Sequence, residues 1–258
     1  MQSKYNMLNE VLTKGRYFYH LCLILFFCNT IDLQAQKSAV EFKELGIKEY
    51  KEKQYIKALE AFSKSIELDT TKSKRDVLIY RGIVHDAMNN FGLAIEDFNQ
   101  AQGIDSNDVF LYVERAKTYY NIRNHEGAIK DFLKVTELNP NSKDAEEAWR
   151  YLGKIKQADK SYRDAVNYYT RVLRFAPKDY ETIFKRGECK FFLNDYKAAI
   201  KDFDACIEIN SEYQYAFALR GESKLKSDDK EGACKDLNTA YKLGIKDILG
   251  LINENCKK

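Results

Sequence analysis

YETIFKRGECKFFLNDYKAAIKDFDACIEINSEY, residues 180–213, is the stretch that decides how this chain is read. It holds a small residue, Gly187, then Ala199 twelve positions on and Phe203 four positions after that. The same spacing returns as Gly46/Ala58/Phe62, Gly82/Ala94/Phe98, Ala116/Ala128/Phe132, Gly153/Ala165/Tyr169 and Gly221/Ala233/Leu237. Successive small residues lie 36, 34, 37, 34 and 34 positions apart. Six copies at a near-fixed period define a repeat array. Such an array grows by stacking and has no single globular core, so the length of 258 residues does not set a domain count.

Composition narrows the function classes. Lys and Arg number 42 against 39 Asp and Glu, so a net charge of +3 gives no electrostatic footprint for nucleic acid. The two prolines, Pro140 and Pro177, fall at the ends of repeats, as expected of an all-helical chain whose helices stop before proline.

Lys14 and Arg16 precede an apolar run at 17–28, broken only by His20. The segment Leu33-Gln34-Ala35 follows and places a mature start at Gln36. Basic flank, short apolar stretch and a small residue before the cut read as a secretory signal over 1–35, with export to the periplasm or exterior. An uncleaved membrane anchor is the alternative, and only then would the membrane be a partner. A lipoprotein site fits less well, because Cys28 follows Phe26 and Phe27 and Cys22 follows His20 and Leu21.

The repeats resemble the tetratricopeptide repeat family, here in an exported bacterial form. The family's pattern is a bulky residue, Leu-Gly and Tyr in the first helix, then Ala, an aromatic, Ala and Pro in the second and beyond. Trp149, Leu152, Gly153, Ala165, Tyr169 and Pro177 carry it most fully. The resemblance implies an all-α, right-handed α-solenoid of six helix-turn-helix repeats at 39–72, 75–108, 109–142, 146–179, 180–213 and 214–247. A capping helix is expected at 248–258. Each repeat reads as two amphipathic helices with a polar turn, as at Asn89-Asn90, 121–124, Asn194-Asp195 and Asp228-Asp229, where Asn and Asp suit the start of the second helix. The small residue is expected to face the second helix's Ala, with the aromatic one turn further along that face. Insertions at 70–74 and 143–145 read as longer turns.

Arginine and aspartate co-occur inside the array. Arg81, Arg115, Arg186 and Arg220 precede the small residue in four repeats, and Asp97, Asp131, Asp202 and Asp236 follow sixteen positions later. The other two repeats have Leu45 with Ala61 and Leu152 with Tyr168. Joint presence and joint absence predict an interhelical ion pair within each of the four.

After Gly244 the period stops, and Ile245, Ile248, Leu249, Ile252 and Cys256 recur at helical spacing as the face of a cap. The residue after the second helix's Ala is Leu59, Ile95, Ile129, Val166 and Ile200 in five repeats, but Cys234 in the sixth. In the family's layout that position faces the following helix, here the cap. Cys234 and Cys256 are therefore either a disulfide, which an exported chain permits, or two buried thiols in contact. Cys189 and Cys206 read as packing residues.

No catalytic, metal or cofactor motif emerges. Outside the signal the histidines are His85 and His125, with no zinc spacing, no C-x-x-C and no phosphate-binding glycine loop. The sequence thus predicts a non-enzymatic scaffold that binds a protein or peptide partner, with no small-molecule substrate. A membrane-tethered periplasmic assembly subunit is the second reading, and an enzyme with an unrecognised site the third. The resemblance places the working surface in a groove lined by the first helices: Ile79, Ile83, Val113, Lys117, Tyr120, Arg150, Lys154, Phe184, Glu188 and Phe191, with Lys43, Ile47, Tyr50, Glu222 and Leu225 at the matching places elsewhere. The family's chaperone-tail binders clamp a carboxylate with Lys and Asn; the matching residues here are Lys43 and Ile47, which argues against such a clamp. The expected ligand is instead an extended or helical peptide with apolar anchors, beside a basic rim at Arg150 and Lys154.

Overall fold

The paired amphipathic stretches of the repeats fold as helices in the computed structural model, which describes residues 34–69, 71 and 73–256, while Ile245 and Ile248 of the expected cap face lie in the turn before the last helix. The helices are α1 (34–51), α2 (Tyr55–Leu68), α3 (Lys74–Ala87), α4 (Phe91–Ile104), α5 (Val109–Asn121), α6 (His125–Leu138), α7 (Lys143–Ala158), α8 (Tyr162–Phe175), α9 (Tyr180–Phe192), α10 (Tyr196–Ile209), α11 (Gln214–Leu225), α12 (Lys230–Lys242) and α13 (Leu249–Asn255). There is no strand among the described residues. The described residues divide into two compact units, the first ending at Thr118 and the second starting at Tyr119, so the division falls within α5. In each unit a helix packs on the next in sequence, the solenoid arrangement of helical hairpins. The expected signal lies outside the described residues except for Gln34 and Ala35, which are helical. Among the described residues no helix is long and apolar enough to cross a membrane.

The close approach of paired helices is made by a ring over a glycine. A Cβ added to Gly46 would meet Phe62 at 2.6 Å, to Gly82 Phe98 at 2.8 Å, to Gly153 Tyr169 at 2.6 Å and to Gly187 Phe203 at 2.9 Å. The small residue thus faces mainly the aromatic sixteen positions on, and less the intervening Ala. These rings and alanines are fully buried.

The turns share one geometry. Lys53, Asn89, Arg123, Lys160, Asn194 and Asp228 all have φ between 59° and 64°. Each lies seven residues beyond its repeat's small residue, so the positive φ recurs with the array's own period. The next residue's N–H bonds five positions back, as Asn90 to the His85 carbonyl at 2.8 Å and Asp195 to the Lys190 carbonyl at 3.0 Å. This is the Schellman cap, built without glycine at its left-handed position. Asn124, Asp195 and Asp229 then cap the second helix, accepting from Gly127, Ala198 and Gly232 N–H groups at 3.0, 3.2 and 2.9 Å. Asn90 makes no side-chain cap. The insertion at 143–145 is helix rather than turn: Ser142 Oγ accepts from the Ala145 N–H at 3.1 Å, and Asp144 and Glu146 favour the first turn of α7.

Arg81 Nε and Nη2 donate to the two oxygens of Asp97 at 2.8 and 2.6 Å. Arg186 does the same to Asp202 at 2.9 and 2.7 Å, and Arg220 to Asp236 at 2.8 and 2.6 Å. All three aspartates are buried. Lys190 and Lys224, one turn on, close the other side at 2.7 and 2.8 Å. The Nη1 groups reach back to the preceding repeat: Arg81 to Ser63 at 3.3 Å, Arg115 to Asn99 at 2.6 Å, Arg186 to Thr170 at 3.5 Å and Arg220 to Asp204 at 2.7 Å. Each arginine therefore stitches neighbouring repeats together. Arg115 and Asp131, both buried, lie on either side of the division between the units.

Cys234 and Cys256 form a disulfide with a Cα–Cα distance of 5.5 Å. It matters because α13 is seven residues long and buries no side chain. The expected apolar face is only half covered, and Leu249 is 44% exposed. Cys189 and Cys206 are free and buried. Cys189 packs beside Ala165 and Tyr169, and Cys206 beside Phe184 and Phe203. Burial pushes both thiols up to about 12.

Candidate functional site

In the first unit most of the expected groove positions belong to the core. Ile79 and Val113 are buried, so they pack between helices and offer no groove face. Ile83 is half-buried, and so are Ile47 and Tyr50, which lie against the Phe62 and Val84 cluster. Lys117 sits 3.3 Å from Glu114. In the second unit Phe184 is also buried, edge-on to Tyr213 with centroids 5.1 Å apart, which corrects its placement as an open anchor. Phe191 is half-buried against Tyr196. Burial holds the Glu222 carboxyl above the usual range, with Lys226 opposing. Arg150 is no free basic rim. Its guanidinium pairs with Asp179, bonds Thr182 Oγ1 at 2.5 Å and pairs with Glu146 at 2.8 Å. Burial works against the Asp179 carboxylate, but hydrogen bonds from Arg150 and Thr182 hold it below the usual range.

Of the expected set, Tyr120, Arg150 and Lys154 line one pocket of the second unit, of about 710 Å³, while Ile83, Lys117 and Phe191 lie outside it. The α7 stripe Arg150, Lys154 and Gln157 forms one wall, and the α9 residues Glu181, Thr182 and Lys185 form the other. Tyr120, Tyr169 and Tyr213 bring three phenol rings. A hydrogen-bond chain joins the walls. Tyr169 O–H donates to Gln157 Oε1 at 2.7 Å, Gln157 Nε2 to Glu188 at 2.6 Å, and Lys185 Nζ to the same Glu188 oxygen at 2.8 Å. Glu188 thus orients the lining from behind. Burial, with smaller contributions from Cys206 and Glu181, pushes the Tyr213 phenol up to about 12, and burial raises Tyr169 also, so both stay protonated donors. Lys154 is exposed, its ammonium 5.4 Å from the centre of the Tyr151 ring. A second hollow of about 390 Å³ shares Tyr120, Lys154 and Ala158 and continues to His125, whose Nδ1 is 3.2 Å from Asp159.

Gln157, Glu181, Thr182, Lys185 and Tyr213 were missed by the sequence reading. Four of the five lie on stripes it had already entered. Steps of four and three from Arg150 give Lys154 and Gln157, and the same steps from Glu181 give Lys185 and Glu188, while Thr182 sits beside Glu181.

The tetratricopeptide repeat family model matches residues 111–142 and 180–213. This chain is a tetratricopeptide repeat protein. The matched segments are its third and fifth repeats, although the fullest signature stands in the fourth. As a tetratricopeptide protein it resembles the wheat (Triticum aestivum) Hsp70-Hsp90 organizing protein, 25% identical over 243 residues, 81% of this chain and 41% of that protein. It is also 32% identical over 95 residues to human DnaJ homolog subfamily C member 7, covering 36% of this chain and 19% of that one. The chain therefore spans less than half the length of these relatives. Among solved structures it resembles YrrB, a TPR protein with an unusual peptide-binding site, at a TM-score of 0.66 and 21% identity, covering 76% of this chain and 98% of the other. Pseudomonas aeruginosa pilF superposes at 0.64 with 16% identity, over 86% and 99% of the two chains. At these identities the structures share the fold. Tetratricopeptide repeats generally mediate protein–protein interaction.

Proposed function

We propose that this tetratricopeptide protein is a non-enzymatic interaction module that seats an extended segment of a protein partner between α7 and α9. The observation that carries the reading is the 710 Å³ pocket, where paired donors and acceptors from two helices face three phenol rings. Such a lining suits a peptide, whose main chain offers alternating N–H and C=O groups and whose side chains lie against tyrosine. Because Arg150 is neutralised by Glu146 and Asp179 and Lys185 is paired with Glu188, the available cation is Lys154, and specificity rests more on hydrogen bonds and rings than on charge. YrrB, with a peptide-binding site on the same fold, supports the class of ligand.

The test is selection from a random peptide display library on the wild-type chain, with rebinding to a Tyr120→Ala/Tyr213→Ala variant. Selected peptides are expected to bind the variant at least about tenfold more weakly, as loss of aromatic anchors does. Undiminished binding to a folded variant would overturn the groove.

We further infer that the chain works outside the cytoplasm. The basic flank and apolar run at 14–28 favour it, and so does the Cys234–Cys256 disulfide, a bond that oxidising compartments keep. Mass spectrometry of the isolated protein decides the form: a start at Gln36 means export, and retention of residues 1–35 means a tethered subunit.

A further inference from the structure

The fourth repeat departs from the array in a way the peptide groove does not use. Where four repeats carry the arginine–aspartate pair, it has Leu152 and Tyr168. Freed of a clasp, Tyr168 stacks on Trp149 with ring centroids 5.7 Å apart and planes at 19°. The Arg171 guanidinium lies over the same indole at 4.6 Å from its centre. Around this stack is a pocket of about 450 Å³ formed by the ends of α6 and α8, the loop at Pro140 and Asn141, and the flank of α7. It shares no residue with the α7–α9 groove pocket.

Its charge is one-sided. Arg171 and Arg174 are both exposed, one turn apart on α8, and neither is ion-paired among the described residues. The carboxylate in the lining, Glu137, already faces Lys134 at 3.1 Å. Two uncompensated guanidiniums therefore border an aromatic floor, with Phe175 37% exposed at the rim. A guanidinium stacked on indole keeps its N–H fork in plane and directed outward, which suits a bidentate carboxylate.

We propose that this pocket is a second docking site, taking an acidic peptide segment in which a Glu or Asp side chain meets Arg171 and Arg174 and a neighbouring apolar side chain lies on Phe175 and Pro140. The site lies on the second-helix side of the fourth repeat, so a partner held in the groove and one held here do not compete for residues.

Trp149 is the single tryptophan of the chain, so the site carries its own reporter. The experiment titrates the full chain with an acetylated and amidated DEFEL peptide and follows Trp149 emission. Its neutral counterpart NQFQL is run amidated and as the free acid. The expected result is a saturable change with DEFEL, weakened by salt, unchanged in Lys154→Glu, and at least about tenfold weaker in Arg171→Gln/Arg174→Gln, whose helicity is checked by circular dichroism. No saturable change, an equal response to amidated NQFQL, or full binding by the arginine double variant overturns the proposal. A response confined to the free-acid NQFQL overturns it in favour of a chain-end carboxylate. None of these outcomes bears on Tyr120 or Tyr213, so the groove stands or falls separately.

Discussion

A buried aspartate between an arginine and a lysine is the residue-scale device of this array. Asp202 takes two bonds from Arg186 and a third contact from Lys190. Removing the arginine strands part of the charge of a buried carboxylate, whereas removing arginine and aspartate together leaves unpaired only Lys190, whose side chain still reaches solvent. Arg186→Leu is therefore expected to lower stability in urea unfolding by about 2–4 kcal/mol, and adding Asp202→Leu to recover a large part of it. Equal losses in the single and double variants would mean that the pair is incidental. Glycine tells a related story. Gly187→Ala drives a methyl to 2.9 Å from Phe203 and is expected to cost about 1–3 kcal/mol. Gly103→Ala, also in a helix but with nothing within 4 Å, should be neutral or gain up to ~1 kcal/mol in the same assay. Both devices were legible, because co-occurrence and period are properties of sequence. The burial of Ile79, Val113 and Phe184 was not. Whether a residue beside the small position faces a groove or a neighbour is decided by the packing of the next helix, and Phe184 is covered by Tyr213, which lies twenty-nine positions away.

At the scale of elements, the turns carry strain where the chain gave no sign of it. Lys, Arg, Asn and Asp occupy a left-handed position that glycine adopts freely. The polar turns at Asn194-Asp195 and Asp228-Asp229 were readable, but Lys53, Arg123 and Lys160 have no local chemistry that announces positive φ. Lys160→Gly is expected to raise the thermal midpoint, with a gain of about 0.5–1 kcal/mol. A loss there would show that the lysine side chain, and not the backbone, fixes the turn. The last helix has the opposite problem. With no buried side chain, α13 is held by its bond from Cys256 to Cys234. Reduction, or Cys256→Ser, is expected to release it, seen as fast amide exchange confined to α13 and the end of α12. A cross-link closing a loop of this size is worth roughly 3 kcal/mol. Unchanged protection of α13 in Cys256→Ser would mean that half-buried Ile248 and Ile252 hold the helix unaided.

At the scale of the molecule, the repeat array supplies a frame and its irregularities supply the sites. The fold was legible from one triplet recurring six times. The working surface was legible only in part. The stripes of α7 and α9 were entered at the right turn, but Arg150 was read as a free cation because its partners Asp179 and Thr182 belong to the next repeat. The fourth repeat, without the arginine clasp, contributes to all three hollows of the second unit described above. We propose above that a partner segment lies between α7 and α9. Photo-crosslinking from benzoylphenylalanine placed at Lys154, at Lys185, and at exposed Lys201 on α10 tests it most directly, in cells that express the chain. One common adduct is expected from Lys154 and Lys185, lost when Tyr120 and Tyr213 are both changed to alanine, and none from Lys201. An adduct formed equally well from Lys201, or undiminished without the two tyrosines, would contradict it.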